Sequence, residues 1–390
     1  MRDAPSAAPL AGRPVTVLGG GIGGLAAALA MKRFGAEVRV LEQAPAIAEV
    51  GAGLQISPNG ARVLRALKVD PHAVGDAALA VELRDRRGRL VTRLDLRGDP
   101  GFFLCHRADL IGVLAARARD AGVSIELDSQ VRAVSLGAAG VVSLAGGLRH
   151  EAPLLIGADG LRSRLRGVLN TPAAARFTGQ VAWRAIIAGD DGASVAQVFM
   201  GPGRHLVSYP LRGGRLRNIV AVEERTAWAA EGWHHRDDPA ALRAAFAGFG
   251  GPVPGWLEAV DEVFLWGLFR HPVADHWHDG QGRAALVGDA AHPTLPFMAQ
   301  GANMALEDAW VLARCLAGAE SQSAALARYQ ALRRKRCQAI VATAGRNARR
   351  YHLHPPMAQI AHAALRVLGM VAPGAPLRRF GWIYDHDVTA

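Results

Sequence analysis

Lysine is scarce in this chain of 390 residues and occurs only at Lys32, Lys68 and Lys335. Arginine supplies the other basic residues, and the formal net charge is +11. Such an excess of positive charge attracts anionic partners. The arginines are scattered, however, and none of the usual signatures of a nucleic-acid-binding module is present. The charge therefore indicates small anionic ligands, or only a bias toward arginine, and nucleic acid is not an expected partner.

Cysteine and long apolar runs are also lacking. The three cysteines, Cys105, Cys315 and Cys337, are widely spaced and odd in number, which argues against a disulfide framework and for a reducing compartment. No run reaches the roughly 18 apolar residues that a membrane span needs. No signal-like stretch precedes the first predicted strand at Val15. We therefore expect a soluble, cytoplasmic protein without a membrane span.

Glycine is abundant, and a group near the start follows the spacing G-x-G-x-x-G. The apolar run 15–18 predicts a buried strand and the run 25–31 a helix, with Gly19, Gly21 and Gly24 between them. These glycines allow a tight turn, the close approach of a pyrophosphate and the packing of helix on strand, respectively. The helix N-terminus offers amide donors to the phosphates. The pattern predicts a dinucleotide site that also includes Ile22 and Gly23.

A carboxylate stands where a dinucleotide site needs one. The next predicted strand, 38–41, ends in Glu42, which lies 18 residues after Gly24. An acid at this place accepts a hydrogen bond from a ribose hydroxyl and repels a 2′-phosphate. This part of the sequence leaves NAD and FAD as alternatives.

Two later segments complete the pattern. Gly157-Ala158-Asp159-Gly160 stands near the middle of the chain, and Gly288-Asp289 stands late. Each alone is weak, because Asp-Gly pairs mostly mark turns. With all three segments in this order, the chain resembles the group A flavoprotein monooxygenases from about residue 15 to 387, and it is most similar to the salicylate hydroxylase and 3-hydroxybenzoate 6-hydroxylase type.

The resemblance implies a non-covalent FAD, with NADH or NADPH as the electron donor. It implies that Asp159 binds on the pyrophosphate side of FAD and that Asp289 holds the ribityl chain. No second dinucleotide fingerprint is present, so the pyridine nucleotide is expected to bind transiently. The other implied partners are a small aromatic substrate and O₂, and a homodimer is a further expectation. Additional FAD-site residues implied by the resemblance are Gly53, Arg107, Val131 and Pro296.

The segment 293–303 reads as a proline-stiffened loop that enters a helix. Free amides at Gly301, Ala302 and Asn303, with the helix dipole behind them, would stabilise negative charge on a reduced flavin. From the residues alone, a plain loop–helix junction explains the segment equally well. The resemblance favours the flavin interpretation.

A predicted strand at 205–210 carries the candidate substrate residues. Side chains alternate along a strand, so His205, Val207 and Tyr209 share one face. An imidazole and a phenol on one face suit an aromatic ring that carries a hydroxyl, although ordinary packing would also explain them. The resemblance implies that His205 assists deprotonation of a substrate phenol and that Tyr209 and Gln300 orient the ring. It further implies hydroxylation of a phenolic aromatic, of the hydroxylated carboxylate kind, through a flavin C4a-hydroperoxide.

Other functions remain open at this stage. A flavin-dependent epoxidase of the same fold, or a non-catalytic flavin-binding protein, would share all three segments. An NAD-dependent dehydrogenase would not need the Asp289 segment, and a halogenase would need a catalytic lysine that is not in place. The histidines lack metal-ligand spacing with cysteines or acids, so no metal is expected.

The predicted fold class is α/β. It combines a Rossmann-like FAD-binding domain of the para-hydroxybenzoate hydroxylase type with an interleaved, mainly β-sheet substrate domain and C-terminal helices. The FAD-binding domain is predicted to be discontinuous, at 13–76, 101–175 and 281–350. The substrate-binding domain is predicted at 77–100 and 176–280, and the helical segment at 351–390.

Overall fold

The computed structural model describes residues 10–47, 52–98, 101–138, 140–226 and 235–390. The helices are α1 Ile22–Arg33, α2 Pro58–Ala66, α3 Arg107–Asp120, α4 Arg164–Leu169, α5 Pro239–Phe246, α6 Val253–Glu258, α7 Gly301–Gly318, α8 Gln322–Tyr351, α9 Met357–Val371, α10 Ala375–Arg378 and α11 Gly381–Tyr384. The strands are β1 Pro14–Leu18, β2 Glu37–Leu41, β3 Gly53–Ile56, β4 Gly75–Ala77, β5 Ala80–Asp85, β6 Leu90–Asp95, β7 Phe103–His106, β8 Ser124–Glu126, β9 Val131–Leu136, β10 Gly140–Leu144, β11 Arg149–Ala152, β12 Leu155–Gly157, β13 Arg176–Ala188, β14 Val195–Gly201, β15 Arg204–Leu211, β16 Leu216–Glu224, β17 Arg236–Asp237, β18 Val263–Arg270 and β19 Ala284–Leu286.

A parallel sheet of five strands, in the order β19-β12-β1-β2-β8, holds the three glycine-containing segments. Strand β1 pairs with β2 on one side and with β12 on the other. The middle segment therefore follows β12 and the late segment follows β19, next to the turn that follows β1. Parallel strands bring their carboxyl ends to one edge of a sheet, which is where such folds bind ligands.

A mixed sheet of eight strands forms the second layer, in the order β17-β18-β13-β16-β15-β14-β5-β6. It joins residues 80–95 to residues 176–270 because β5 pairs in parallel with β14. Side chains on one face of this sheet pack in a hydrophobic cluster with α5 and α6. Side chains on the other face line a cavity. The predicted α/β fold class is confirmed. The predicted domain boundaries stay a prediction.

Two helices lie where the sequence predicts mostly strands. Helix α5 begins after Asp238, whose side chain accepts a hydrogen bond from the Ala240 amide at 2.8 Å. Its Leu242 and Phe246 pack on the eight-stranded sheet. A side-chain cap together with Pro239 at the first helical position favours a helix start here. These signals are present in the sequence, within a region dominated by strand patterns.

The C-terminal helices lie over the cavity. Helices α9, α10 and α11 contribute Leu365, Leu368, Leu377 and Tyr384 to its wall, and Phe380 lines it from the link between α10 and α11. Among the described residues, no helix combines the length and apolar character needed to cross a lipid bilayer.

Candidate active site

A cavity of about 990 Å³ extends from the carboxyl edge of the parallel sheet to the face of the eight-stranded sheet. It brings together residues from all three glycine-containing segments, from the proline-stiffened loop and from β15. The predicted site residues in its wall are Gly19, Gly21, Ile22, Gly23, Glu42, Gly53, Arg107, Val131, Asp159, His205, Tyr209, Asp289, Pro296, Gln300, Gly301 and Ala302. Gly24 and Asn303 are outside this set.

The glycines of the first turn differ in what an added Cβ would contact. Gly19 has a φ of +100°, and a Cβ there would lie 2.6 Å from the Ala158 carbonyl oxygen. A Cβ on Gly24 would lie only 1.9 Å from the Gly19 carbonyl oxygen, so this glycine lets α1 pack against the turn. A Cβ on Gly21 would meet nothing within 4 Å. Gly21 therefore leaves room at the cavity wall for a ligand.

These contacts predict different effects for two alanine substitutions. Gly24→Ala should destabilise the apoprotein by about 1–3 kcal/mol, because backbone must move to make room for the methyl group. Gly21→Ala should leave apoprotein stability unchanged, because Gly21 has an ordinary φ of −74° and open space around it. It should nevertheless weaken FAD binding, since the methyl group occupies the path of the ligand. Thermal unfolding of both apoproteins and FAD titrations measure these effects, and equal losses of stability would contradict the assignment.

The Glu42 carboxylate organises the turn that follows β1. Its Oε2 accepts a hydrogen bond from the Gly20 amide at 2.6 Å, and its Oε1 accepts one from the Ala44 amide at 2.9 Å. Glu42 also lines the cavity. This arrangement can accept a ribose hydroxyl, as an acid at the end of the second strand should.

Asp159 lies across the turn from Gly19. Its Oδ2 accepts a hydrogen bond from the Arg164 amide at 2.7 Å, and burial raises the pKa of its carboxyl. The next residue, Gly160, has a φ of +69°, and a Cβ there would meet nothing within 4 Å. The middle segment thus presents a carboxylate and an open glycine to the cavity.

Asp289 presents its carboxylate directly to the cavity. The side chain is exposed on that side, and it makes no hydrogen bond within the part of the chain that the structure describes. Surrounding protein raises the pKa of this carboxyl, and the charges of His292, Arg107 and His271 partly offset the rise. An acceptor that the protein leaves without a donor suits a polyhydroxylated ligand chain.

A buried ion-pair network holds the Asp289 turn in place. Asp308 on α7 accepts a hydrogen bond from the Gly288 amide at 3.0 Å, contacts His292 and pairs with Arg333 on α8 at 2.8 Å. Burial raises the pKa of Asp308, but His292 and Arg333 outweigh burial and hold it at about 2. The fixed negative charge therefore anchors the turn between two helices.

The same network contains the nearest approach to a metal-binding group among the described residues. His292, Asp308 and Cys337 bring one potential ligand atom each within 4.8 Å of one another. Arg333 pairs with the same Asp308 carboxylate, and its positive charge opposes a metal ion there. We interpret the cluster as structural, and the absence of a metal stays a prediction.

Helix α7 begins at the cavity with unused amides. Ala299 has a left-handed φ of +51°, which turns the chain into the helix. The backbone amides of Gly301, Ala302 and Asn303 donate no hydrogen bond to the described residues, and the first helical bond is donated by Met304 to Gln300 at 2.8 Å. Three free amides at a helix N-terminus attract an anion or a developing negative charge.

The side chains of Gln300 and Asn303 fasten the loop to α2. Gln300 donates to Ser57 Oγ at 2.9 Å and accepts from Asn59 at 3.1 Å. Asn303 accepts from the Ser57 amide at 3.0 Å and donates to the Ala299 carbonyl at 2.7 Å. The amide group of Gln300 is thus engaged with the protein, and its predicted contact with a substrate ring stays a prediction.

These features fit an FAD. An open glycine turn, the Glu42 carboxylate, the Asp289 carboxylate and the Gly301 amide line one cavity, and the last two make no hydrogen bond to the described residues. Glu42 suits the ribose of an adenosine, the open turn a pyrophosphate, Asp289 a ribityl chain and the free amides an isoalloxazine ring. Arg107 and Val131 also line the cavity. Packing also favours glycine at position 53, because a Cβ there would lie 2.6 Å from the Tyr209 side chain.

The far wall of the cavity is the face of the eight-stranded sheet. His205, Val207 and Tyr209 line it, whereas Leu206 and Ser208 do not, as the strand periodicity predicts. The other residues of this face are mostly apolar: Val81, Leu83, Ala196, Val198, Met200, Val220 and Val222. A flat aromatic molecule can therefore lie against this wall with few polar groups around it.

His205 is surrounded by aromatic rings and by a second histidine. Its ring centroid lies 5.6 Å from that of Phe297 and 5.1 Å from that of Tyr351. Its Nδ1 lies 2.6 Å from Nε2 of His352. Burial and then the charge of His352 lower the pKa of His205 well below its usual value. The imidazole therefore stays neutral, and able to accept a proton, at neutral pH.

Tyr209 packs in an apolar cluster with Leu104 and Leu211. Burial raises the pKa of its phenol, and the nearby charge of Arg184 acts in the opposite direction. The hydroxyl therefore stays protonated and can donate a hydrogen bond. Arg184 also lines the cavity, with its guanidinium 4.6 Å from the centroid of the Trp266 ring.

Sequence reasoning missed the partners of His205. His352 follows α8 and Glu224 ends β16, so 147 and 128 residues separate His352 from His205 and Glu224. No motif or spacing signals this cluster. The contribution of α9, α10 and α11 to the cavity wall was also missed. Their apolar patterns predict helices, but not which part of the protein those helices cover.

Comparisons with known proteins agree with this geometry. A protein-family model described as "FAD binding domain" matches residues 13–344. The chain is 35% identical to 3-amino-4-hydroxybenzoate 2-monooxygenase PtmB3 of Streptomyces platensis, over 96% of each protein. It is 36% identical to 3-hydroxybenzoate 6-hydroxylase of Polaromonas naphthalenivorans, over 87% of this chain and 88% of that one.

A solved structure extends the likeness to three dimensions. A salicylate hydroxylase in complex with its substrate superposes with a TM-score of 0.81 at 25% identity, covering 97% of this chain and 96% of that one. The FAD cofactor and the enzymatic class predicted from the sequence are confirmed by the family and its members. The chain belongs to the FAD-binding flavoprotein aromatic monooxygenases.

Proposed function

We propose that this enzyme hydroxylates a phenolic aromatic carboxylate and that His205 accepts the proton of the substrate phenol. The observation that carries the proposal is the position of the His205 imidazole on an apolar wall of the same cavity that Glu42 and Asp289 line, where burial lowers its pKa. An electron-rich ring is needed because the oxygen that the flavin delivers is electrophilic, and a phenolate is richer in electrons than a phenol. Relatives named for hydroxybenzoates and for hydroxynicotinate support this class of substrate.

Bound FAD would take electrons from NADH or NADPH and activate O₂. Glu42, Asp159 and Asp289 would hold it, and the amides at Gly301 and Ala302 would stabilise negative charge on its ring. His205 would accept the phenolic proton, and the apolar wall would exclude water. Arg184 adds positive charge to the wall, which suits an anionic substrate.

A panel of aromatic compounds tests the proposal. Purified enzyme with bound FAD is incubated with NADH or NADPH and with 3-hydroxybenzoate, salicylate or 3-amino-4-hydroxybenzoate, alongside benzoate as a ring without the hydroxyl. We expect a phenol, and not benzoate, to accelerate nicotinamide oxidation and to gain one oxygen by mass. Epoxidation of a non-phenolic alkene would instead support the epoxidase. Flavin binding without any stimulated oxidation would support the non-catalytic alternative.

Cofactor content provides a separate prediction. We expect one FAD for each chain, released by acid or heat, because no histidine or cysteine is placed for covalent attachment in a recognisable motif. Chromatography of the released flavin measures this. Detection of FMN, or failure to retain flavin after reconstitution with FAD, would contradict it.

Tyr209→Phe should mainly raise KM for the aromatic substrate. The phenol remains protonated at neutral pH and can donate one hydrogen bond, whose loss is worth about 0.5–1.5 kcal/mol. We therefore expect KM to rise roughly 2- to 10-fold with little change in kcat. Steady-state kinetics measure both constants, and a fall in kcat at unchanged KM would contradict a role in orienting the ring.

A homodimer and a cytoplasmic location are further proposals. Light scattering of the FAD-loaded enzyme measures the first, and a mass near 82 kDa is expected from a chain of 41.1 kDa. Fractionation of the native cells measures the second.

A further inference from the structure

The buried histidine His205 is joined to the protein surface through two further side chains. His205 Nδ1 lies 2.6 Å from His352 Nε2, and His352 Nδ1 lies 2.8 Å from Glu224 Oε1. The side chain of His352 is 2% exposed and that of Glu224 is 47% exposed. The three groups thus lead from the cavity wall to solvent in two hydrogen bonds.

The Glu224 carboxylate determines the direction of both hydrogen bonds. A carboxylate can only accept, so Nδ1 of His352 carries a proton and donates it to Glu224. In a neutral imidazole the other nitrogen is then an acceptor, so Nδ1 of His205 donates to Nε2 of His352. The side-chain nitrogen of Gln180 also lies 3.3 Å from His352 Nδ1, and the shorter contact with the carboxylate determines the tautomer.

This tautomer leaves the lone pair of His205 at Nε2. No described residue makes a hydrogen bond to that atom, and His205 lines the cavity. The ring is therefore a base turned away from its protein partner. Once Nε2 accepts a proton, the ring becomes neutral without returning that proton only by losing the proton at Nδ1.

We propose that His352 and Glu224 carry the proton of the substrate phenol from His205 to solvent. The phenol O–H bond breaks and a bond forms to Nε2 of His205. The Nδ1 proton of His205 moves to Nε2 of His352, and the Nδ1 proton of His352 moves to Glu224 Oε1. Glu224 then releases it to water, which leaves a phenolate in the cavity and one proton in solution, and no electron is transferred.

The surroundings of the path are consistent with proton movement along it. Burial and the neighbouring His354 lower the pKa of His352, whereas Glu224 raises it. Burial and His352 lower the pKa of His205. Both rings are therefore neutral before the phenol binds. Tyr351 also packs against His205, and its phenol stays protonated because burial raises its pKa.

The hydrogen-bond directions can be tested without a substrate. In FAD-loaded enzyme with ¹⁵N-labelled histidine, we expect both His205 and His352 to carry their proton at Nδ1. Assignment uses the spectra of His205→Ala and His352→Gln. A proton at Nε2 of His352 would overturn the path, because that atom could then not accept from His205.

The transfer itself rests on the proposed function, and its test uses the phenol from the panel that best stimulates NADH oxidation. Stopped-flow mixing of that phenol with oxidised enzyme follows phenolate absorbance and, with a pH indicator, proton release. His352→Gln keeps one acceptor and one donor but cannot carry a proton. We expect it to slow both signals by on the order of 10²-fold, with unchanged FAD content.

Neighbouring variants separate a proton path from packing. Glu224→Gln should also slow proton release, whereas Glu223→Gln, which removes the adjacent carboxylate bound to Arg204 and Arg225, should not. A solvent deuterium isotope effect should appear in the wild type. Wild-type rates in His352→Gln would overturn the path and leave the proposed function intact. Failure of every phenol to stimulate the wild-type enzyme would overturn the proposed function itself.

Discussion

Replacing His205 with alanine is expected to lower the rate of hydroxylated product by on the order of 10²–10⁴-fold, the usual contribution of a general base. FAD binding and reduction by NADH should persist, because His205 lies on the eight-stranded sheet, whereas Glu42 and Asp289 follow strands of the parallel sheet. NADH oxidation should fall less than product formation, and the difference should appear as hydrogen peroxide. Product by mass, NADH oxidation and peroxide are measured on the same samples.

The pH dependence of this variant provides a sharper criterion. The wild-type base has a pKa well below 6.5, so the neutral, proton-accepting form is present throughout neutral and alkaline pH. The wild-type rate should therefore be lost only as pH falls through that lowered pKa. In His205→Ala the phenol must ionise unaided, and its rate should rise toward a pH of about 10, near the ordinary pKa of a phenol.

A histidine outside the cavity serves as the control. His276 is exposed and does not line the cavity, so His276→Ala should hydroxylate at the wild-type rate. A wild-type rate and unchanged coupling in His205→Ala would show that His205 is structural. A base elsewhere, or a substrate that is not a phenol, would then have to explain the reaction.

Asp289→Ala is expected to weaken FAD binding by roughly 5- to 150-fold, which corresponds to about 1–3 kcal/mol for a buried hydroxyl left without its acceptor. No described residue donates a hydrogen bond to the Asp289 carboxylate, which lines the cavity, so its oxygens can accept from the ligand. Fluorescence titration of the apoprotein with FAD measures the dissociation constant. Equal FAD retention by wild type and Asp289→Ala would contradict the assignment.

Glu42→Ala is the matched comparison and should weaken FAD binding less. The Glu42 oxygens already accept hydrogen bonds from Gly20 and Ala44, so only their remaining capacity is available to a ribose. The two lost amide contacts should instead appear as reduced apoprotein stability. A larger loss of FAD affinity in Glu42→Ala than in Asp289→Ala would reverse the proposed order.

The sequence by itself determined the class of fold, the cofactor and the enzyme family. Glycine spacing carries this information because Gly24 lies against the Gly19 carbonyl oxygen of the same turn and because Gly19 adopts a backbone φ of +100°. Alternation along a strand likewise placed His205 and Tyr209 on one face, since that periodicity is a property of the local backbone. Short stretches of sequence determine local backbone geometry of this kind.

Only the tertiary structure decided which side chains surround the predicted residues. Gln300 is engaged with Ser57 and Asn59, more than 240 residues away, and His205 is bonded to His352, 147 residues away. Contacts over such separations depend on how two sheets and the C-terminal helices pack, and no spacing in the chain encodes them. His205 could therefore be proposed as the base from the sequence with the help of a resemblance. The route by which its proton leaves could not, because it exists only where β15, β16 and the end of α8 meet.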